Sequence, residues 1–339
     1  MNFKGVEICC PHCRGDFEET RAGLRCKSCN REFPVLAGIP DLRVFPDPYI
    51  GLEEDRRKGL RVAERLEDLS FSQVIDFYYT ITDVVPAHHA RSYKRGLMAA
   101  VPRAEAALTT WDRWVDGPGS RLLEVGCGTA PLLVAAAPGT RLLAGVDIAF
   151  RWLVVARKRL QEAGLDIPLI CACAEALPFP HALFDRVVFD SALEVIDDQK
   201  LALAESHRVM RPGGSVFITT PNRFSLGPDP HVGVLAGGYW PRRLLDWHTR
   251  RQGAIPPKRR LLGAGRLTSL LREAGFTSPR LILPRIPDAQ RDLLAKPLRR
   301  LVDLYHLAQR LPLSRQVLFG IGPLLQAVAW KAPHSRELR

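Results

Sequence analysis

The sequence predicts an α/β fold, with a parallel, doubly wound sheet behind a small N-terminal cysteine module. Three observations carry that expectation. Short apolar runs alternate with helix-like segments between Arg121 and Thr220. The first run enters a Gly-x-Gly turn, and the second ends in an acid, Asp147. Five of the eight cysteines, Cys9, Cys10, Cys13, Cys26 and Cys29, are crowded into the start of the chain. The composition, 46% hydrophobic and 25% charged over 339 residues, excludes a mostly disordered chain, a fibrous repeat and a coiled coil. No run reaches the ~18 apolar residues of a membrane-spanning helix, and the first residues lack an apolar signal core, so a cytoplasmic chain is expected. The net charge of +12 points to an acidic partner: nucleic acid, a phosphorylated substrate or anionic lipid.

Cys10-Pro-His-Cys13 is followed, twelve residues on, by Cys26-Lys-Ser-Cys29. Each pair sits on a tight knuckle that aims two thiolates at one point, and four thiolates complete a tetrahedral Zn²⁺ site. Confinement of the cysteines to one segment argues for a reducing compartment rather than a disulfide scaffold. Arg14 to Arg25 has the length of one hairpin. A segment so short cannot bury a core of its own, so the metal supplies its folding energy. The alternative is two redox-active pairs, but no thioredoxin-like unit surrounds them. Cys9 and His12 are substitutes for one ligand, with Cys9 read as a spare thiol. With the following Arg31-Glu-Phe-Pro-Val-Leu-Ala-Gly-Ile-Pro-Asp-Leu42, the stretch from Cys10 to Leu42 resembles the Trm112-like zinc ribbons. In that family the ribbon partners or precedes a methyltransferase and is not itself catalytic.

Residues 46–115 read as a helical linker or cap, with helix-like spacing over Ser72–Tyr79 and Arg91–Leu108. Tyr78, Tyr79, His88 and His89 there are either packed and solvated side chains or a cap over a ligand. Arg121–Val125 is the first strand, the glycine turn follows, and Leu132–Ala137 is a helix of small residues. A turn of this kind lets the backbone approach a ligand at a helix start. Pro131 breaks the G-x-G-x-x-G dinucleotide spacing. Leu142–Asp147 is the second strand, and its terminal carboxylate can accept two ribose hydroxyls. A helix over Ala149–Ala163 closes at Gly164. Strands from Leu169, over Arg186–Asp190 and over Ser215–Thr220 come next, with a helix at Leu201–Val209 and a turn at Arg211–Gly214. Such alternation makes a Rossmann-like sheet with its ligand at the carboxyl edge. Gly265–Ala274 is a helix, Leu281–Leu283 the sixth strand and Leu325–Trp330 an antiparallel seventh.

The pieces LLEVGCGTA, GVDIA, AEALPFPHALFD, FDRVVFDSALEVIDD and HRVMRPGGSVFITTPN, in this order and spacing, resemble the class I S-adenosylmethionine-dependent methyltransferases, nearest the ubiquinone/menaquinone-methyltransferase-like group. The resemblance covers about Arg121 to Asn222. It implies that Gly126 and Gly128 face the methionine part of S-adenosylmethionine, and that Glu124 orients the turn and reaches the amino group. It implies that Asp147 holds the ribose with Ile148 beside it, that Ala174 and Glu175 lie along the adenine, and that Asp190 and Ser191 line the methionine end. Two positions depart from the family pattern. Cys173 stands where an Asp usually precedes Ala-Glu and is a poorer acceptor. Ala130 stands where the third small residue of the turn is usually Gly.

Methyl transfer is an in-line displacement for which the protein supplies position and, for an OH or NH acceptor, a base. Glu194, directly after the fourth strand, and His231, in a Pro-His-Val-Gly loop after the fifth, are the catalytic candidates; Tyr239, His248, His88 and His89 are further ones. The domain organisation expected is a ribbon at 1–45, the helical segment at 46–115, the core at 116–283, a basic amphipathic insertion at 284–322 and the last strand with the tail at 323–339. In the insertion Leu294, Leu298, Leu301, Tyr305 and Ala308 share one helical face, with Lys296, Arg299, Arg300 and Arg310 around them and Pro297 limiting its straightness. This helix is either a lid docked on the core or a peripheral membrane contact.

The leading expectation is a methyltransferase acting at oxygen or carbon of a small organic or lipid-like acceptor. RNA is the alternative acceptor, since ribbons also precede this core in a large-subunit rRNA guanine-N1 methyltransferase. That ribbon departs from the four-cysteine pattern, and no Asn-Pro-Pro-Tyr follows strand four here. A non-catalytic partner protein of the same fold is the third reading, resting on Cys173. Residues 241–339 carry 20 Lys plus Arg against 6 Asp plus Glu, so the positive charge belongs to the tail that covers the substrate side.

Overall fold

The computed structural model describes residues 1–82, 85, 87–112, 120–229, 232–253, 255–292 and 294–333. Its centre is one seven-stranded sheet of β1 (Arg121–Val125), β2 (Leu142–Asp147), β3 (Leu169–Cys171), β4 (Phe184–Asp190), β5 (Met210–Pro221), β6 (Thr277–Ile282) and β7 (Leu324–Trp330). The strand order is β6-β7-β5-β4-β1-β2-β3. β3, β2, β1, β4 and β5 run parallel, and β7 is antiparallel to both β5 and β6. The expected doubly wound sheet is therefore present. Its order reverses between β1 and β4, and such a switch point opens a crevice at the carboxyl ends of the strands. β1 and β2 are in register from Arg121 opposite Leu142 to Val125 opposite Val146, which brings the turn after Val125 beside Asp147.

The helices are α1 (Leu52–Ala63), α2 (Phe71–Thr80), α3 (Ala87–Met98), α4 (Ala100–Asp112), α5 (Pro131–Ala136), α6 (Phe150–Glu162), α7 (Gln199–Val209), α8 (Arg242–Arg251), α9 (Ala264–Glu273), α10 (Asp288–Arg291), α11 (Lys296–Ala308) and α12 (Pro312–Ile321). Their starts follow local chemistry. Ser70 and Gln73 form a capping box on α2, and the Asp198 carboxylate accepts from Leu201 N at 2.9 Å on α7. Tyr78 is buried and packs its ring 4.5 Å from Trp152 on α6. Tyr78 is thus a packing residue, while the side chains of His88 and His89 lie outside the described residues.

The ribbon is a hairpin, Phe17–Thr20 against Gly23–Cys26, extended by Glu32–Leu36. It has no separate interior. Val6, Ile8, Phe17, Leu24 and Phe33 share one buried cluster with Leu177, Phe179 and Phe184 of the sheet layer. Its last residues cap the sheet edge: Asp41 bridges Cys171, and Leu42 N donates to Cys171 O at 2.7 Å. Edge β3 is thereby covered rather than left open for pairing.

Three local expectations change. The Arg211–Gly214 turn lies inside β5 as a bulge, where pairing jumps from Phe184 opposite Met210 to Arg186 opposite Ser215. The sixth strand is longer than Leu281–Leu283 and starts at Thr277, because β7 pairs along it from Trp330. On α11 the inward residues are Val302 and Tyr305, the latter donating to Pro284 O at 2.9 Å, while Leu301 is 59% exposed. Leu294 precedes this helix, and Pro297 lies in its first turn, where its missing N–H breaks no intrahelical bond. Among the described residues no helix is long and apolar enough to cross a membrane.

Candidate functional site

The carboxyl edge of the sheet holds a cavity of about 940 Å³, a size suited to a small-molecule ligand. Gly126 and Gly128 of the β1 turn, Asp147 and Ile148 at the end of β2, Ala174 and Glu175 after β3, and Ser191 after β4 all line it. Seven of the nine predicted ligand-contacting residues are thus brought together by four separate strand ends. The other two, Glu124 and Asp190, belong to β1 and β4 and are not part of the lining.

Asp147 braces the turn. Its two carboxylate oxygens accept from Gly128 N and Ala149 N, each at 2.8 Å. Gly126 has φ +75°, and a Cβ there would lie 2.4 Å from the Ala192 Cβ, so the turn admits no side chain. Ala130 occupies left-handed backbone at φ +58°, which explains the usual glycine at this position; alanine bears a modest strain. Ser191 is also left-handed, at φ +57°, in the cavity wall.

The acids interact electrostatically. Burial, reinforced by the Asp190 and Asp147 charges, pushes the Glu124 carboxyl well above its ordinary value, although Arg103 opposes this. Burial also raises Asp147, against the two backbone donors, and raises Asp190. Glu124 Oε2 is buried and has no hydrogen-bond partner among the described residues. A cationic group brought beside it would satisfy that oxygen and relieve the clustered negative charge.

Other candidates stand elsewhere. Glu194 does not reach the cavity: it is fully buried, and Thr220 Oγ1 donates to its Oε2 at 3.1 Å. The short helical turn after β4, Leu193–Val195, rotates its side chain inward while Val195 and Ile196 face the ligand space. His231 lies outside the described residues. Tyr239 donates to Phe224 O at 3.1 Å, and His248 is paired with Gln252 at 2.9 Å; neither lines the cavity. Cys173 is turned away as well. Phe45 N donates to its sulfur at 3.4 Å, and the thiol donates to Phe45 O at 3.5 Å. The backbone at the ribbon's end thus holds the side chain that stands where the family pattern has an acid.

That segment is the part of the site that sequence reasoning missed. Phe45, Pro46, Asp47, Pro48 and Tyr49 form one cavity wall. A largely buried ionic network fixes it. Arg43 pairs with Asp41 at 2.7 Å and with Asp55 at 2.6 Å, and Arg151 pairs with Asp55 at 2.6 Å and with Asp47 at 2.8 Å. Arg43 also donates to Ile148 O at 3.0 Å. Asp55, on α1, accepts from Phe150 N at 2.9 Å at the start of α6. The ribbon's end, the wall and the acidic end of β2 are therefore one charged assembly. Asp55→Ala leaves two buried guanidiniums short of a partner and is expected to destabilise the protein by about 3–5 kcal/mol in urea unfolding. A loss below about 1 kcal/mol would show the network to be dispensable.

The four predicted metal ligands also meet. The sulfurs of Cys10, Cys13, Cys26 and Cys29 lie within 4.8 Å of one another, with Cys10–Cys29 at 3.7 Å and Cys13–Cys26 at 3.4 Å. Tetrahedral Zn²⁺ with bonds of about 2.3 Å requires sulfurs roughly 3.8 Å apart, so the set fits the ion. His12 is paired with Arg31 at 2.6 Å, and Cys9 is buried outside the group.

Comparison with known proteins bears on this site directly. Residues 123–218 match the family model of the methyltransferase domain. Over 117 residues the chain is 37% identical to the ubiquinone/menaquinone biosynthesis C-methyltransferase UbiE of Coxiella burnetii, covering 32% of this chain and 46% of that protein. It is 35% identical over 116 residues to the ubiquinone biosynthesis O-methyltransferase of Thiobacillus denitrificans, covering 33% and 50%. The chain thus spans about half the length of the curated relatives it matches. A solved Thermotoga maritima structure, described as an S-adenosylmethionine-dependent methyltransferase and possible histamine N-methyltransferase, aligns at TM-score 0.46 and 17% identity over 72% of this chain and 96% of that one.

Proposed function

Since residues 123–218 match the methyltransferase-domain family model, we propose that the chain transfers the methyl group of S-adenosylmethionine to oxygen or carbon of a small organic or lipid-like acceptor. The observation that carries this reading is the convergence of Gly126, Gly128, Asp147, Ile148, Ala174, Glu175 and Ser191 on one cavity, with the unpartnered Glu124 Oε2 at the base of the turn. The relatives that act in quinone biosynthesis support the acceptor class.

In this reading Asp147 holds the ribose hydroxyls and Glu124 the methionine ammonium. Ala174 and Glu175 flank the adenine, and Ser191 closes the methionine end, with Asp190 behind it. Bound S-adenosylmethionine supplies an electrophilic methyl group. The chain's own work is to orient it, to exclude water with the Phe45–Tyr49 wall, and to align the acceptor. Glu194, buried on Thr220, acts through positioning rather than as a base, and proximity carries the reaction. Zn²⁺ on the four cysteines has a structural role in this reading, and thiolate ligands favour a reducing compartment. The outward apolar residues of 284–322 serve as a peripheral membrane contact.

The test uses radiolabelled S-adenosylmethionine with a cell extract sorted into lipid, small-molecule and RNA fractions. Label is expected in the lipid or small-molecule fraction; label in RNA alone would replace the acceptor class with nucleic acid, and no transfer would leave a non-catalytic scaffold.

Cofactor binding is also expected to release a proton. Glu124 faces the Asp147, Asp190, Arg103 and Arg159 charges, and its carboxyl stands well above the ordinary range in the free protein. An ammonium beside it lowers that value. Affinity should therefore rise with pH between the bound-state and free-state values and level off above the latter. Calorimetry in buffers of different ionisation enthalpy measures the release; a pH-independent affinity from pH 5 to 8 in Glu124→Gln but not in the parent protein assigns it to this residue.

A further inference from the structure

A second cavity, of about 350 Å³, lies among the segment after β5, the start of α8 and the stretch between α8 and α9. Four guanidinium-bearing residues line it: Arg223 just after β5, Arg242 at the start of α8, and Arg259 and Arg260 between α8 and α9. Asp246 and Thr249, one and two turns along α8 from Arg242, complete its polar lining. Two of the four arginines are accounted for. Arg259 forms a two-pronged ion pair with Asp229, both nearly buried, and Arg242 stands 3.9 Å from Asp246. Arg223 and Arg260 have no carboxylate partner among the described residues; the Arg223 guanidinium lies 5.5 Å from the centre of the Phe224 ring. The site therefore presents uncompensated positive charge in a concavity, within a part of the chain whose net charge is strongly positive.

This cavity adjoins the first through one short stretch. Lys258 lines the larger cavity, and Arg260 two residues on lines the smaller. That stretch is fixed on both sides of the Arg260 residue: its N–H donates to Glu194 O at 2.7 Å, and its carbonyl accepts from Gln199 Nε2 at 2.9 Å. The buried Glu194 segment thus supports the wall between the two sites.

We propose that the second cavity binds a phosphate group carried by the methyl acceptor. Arginines that line one cavity from three chain segments suit an oxyanion with several acceptor oxygens, because planar N–H pairs bind such groups two at a time. Assigning the phosphate to the acceptor rests on the methyltransferase reading; the anion site itself does not. Leu235, Tyr239 and Trp247 are each more than half exposed close by in the chain. The phosphate therefore has two sources, a soluble phosphomonoester or a phospholipid headgroup.

Inorganic phosphate and pyrophosphate are titrated into the full chain by calorimetry, without S-adenosylmethionine, and sedimentation is followed with phosphatidylcholine vesicles with and without phosphatidylglycerol. Saturable binding is expected in one arm or both, weakened about tenfold or more by Arg223→Ala combined with Arg260→Ala. Arg243→Ala, which removes an α8 charge outside the cavity, should leave it unchanged. Binding confined to the free anions identifies a soluble phosphoester, and binding confined to phosphatidylglycerol vesicles identifies the headgroup. No binding in either arm, or equal weakening by Arg243→Ala, would overturn the site. S-adenosylmethionine affinity, measured separately on the same variants and expected unchanged, keeps failure here distinct from failure of the methyl-transfer reading.

Discussion

Asp147→Ala is expected to abolish detectable S-adenosylmethionine binding, with affinity falling about a hundredfold or more. Two contributions add. The ribose loses a charged acceptor for its hydroxyls, and each hydrogen bond to a charged group contributes about 1.5–3 kcal/mol. The glycine turn loses its brace, because the same carboxylate accepts from Gly128 N and Ala149 N. Asp147→Asn separates the two: it retains an oxygen for one backbone donor but no charge, and should bind weakly rather than not at all. Calorimetric titration measures both variants, with circular dichroism confirming the fold. Unchanged affinity in Asp147→Ala would sink the assignment of the cavity.

Cys26→Ser is expected to lower zinc content from about one equivalent per chain to near none and to depress the thermal midpoint by roughly 10 °C. So large an effect from a small module follows from its place in the fold. Phe17, Leu24 and Phe33 lack an interior of their own and share a core with Phe179 and Phe184. Losing the metal exposes that shared surface. It also loosens the Asp41 and Arg43 end of the ribbon, which anchors Asp55 and, through Arg151 and Asp47, the cavity wall. A weaker S-adenosylmethionine affinity should accompany the loss. If a chelator strips the metal and the midpoint does not move, the ribbon does not stabilise the core.

Much of the site was legible because each part has a local signature. A strand, a Gly-x-Gly turn and a terminal acid can be read from neighbouring residues, and the parallel alternation dictates that all strand ends open on one edge. The cysteine spacing is equally local, since each knuckle is four residues long. The inward turn of Glu194 is not legible, for the opposite reason. Its position after β4 is correct, but one turn of 3₁₀ helix decides whether a side chain faces ligand or core, and no periodicity is readable over three residues.

The contacts between distant segments were not legible. Cys173 looked like a weakened site residue in the sequence; in the fold it holds the backbone of Phe45, 128 residues away. Asp47, Pro48 and Tyr49 fall at the start of the expected linker and form a cavity wall. Apolar spacing groups Leu301 with Tyr305, yet which stripe of a helix apolar on two sides turns inward depends on the surface it meets.

By itself, the sequence determined the sheet, the acid-and-glycine edge and the four-thiolate cluster, because hydrophobic periodicity, turn chemistry and metal geometry act over a few residues. Only the tertiary structure decided that the ribbon's end completes the cavity and that four arginines share a second one. Burial of charge is settled between segments far apart in the chain, where a guanidinium is stable only if the fold brings a carboxylate, or leaves room for an anion, beside it.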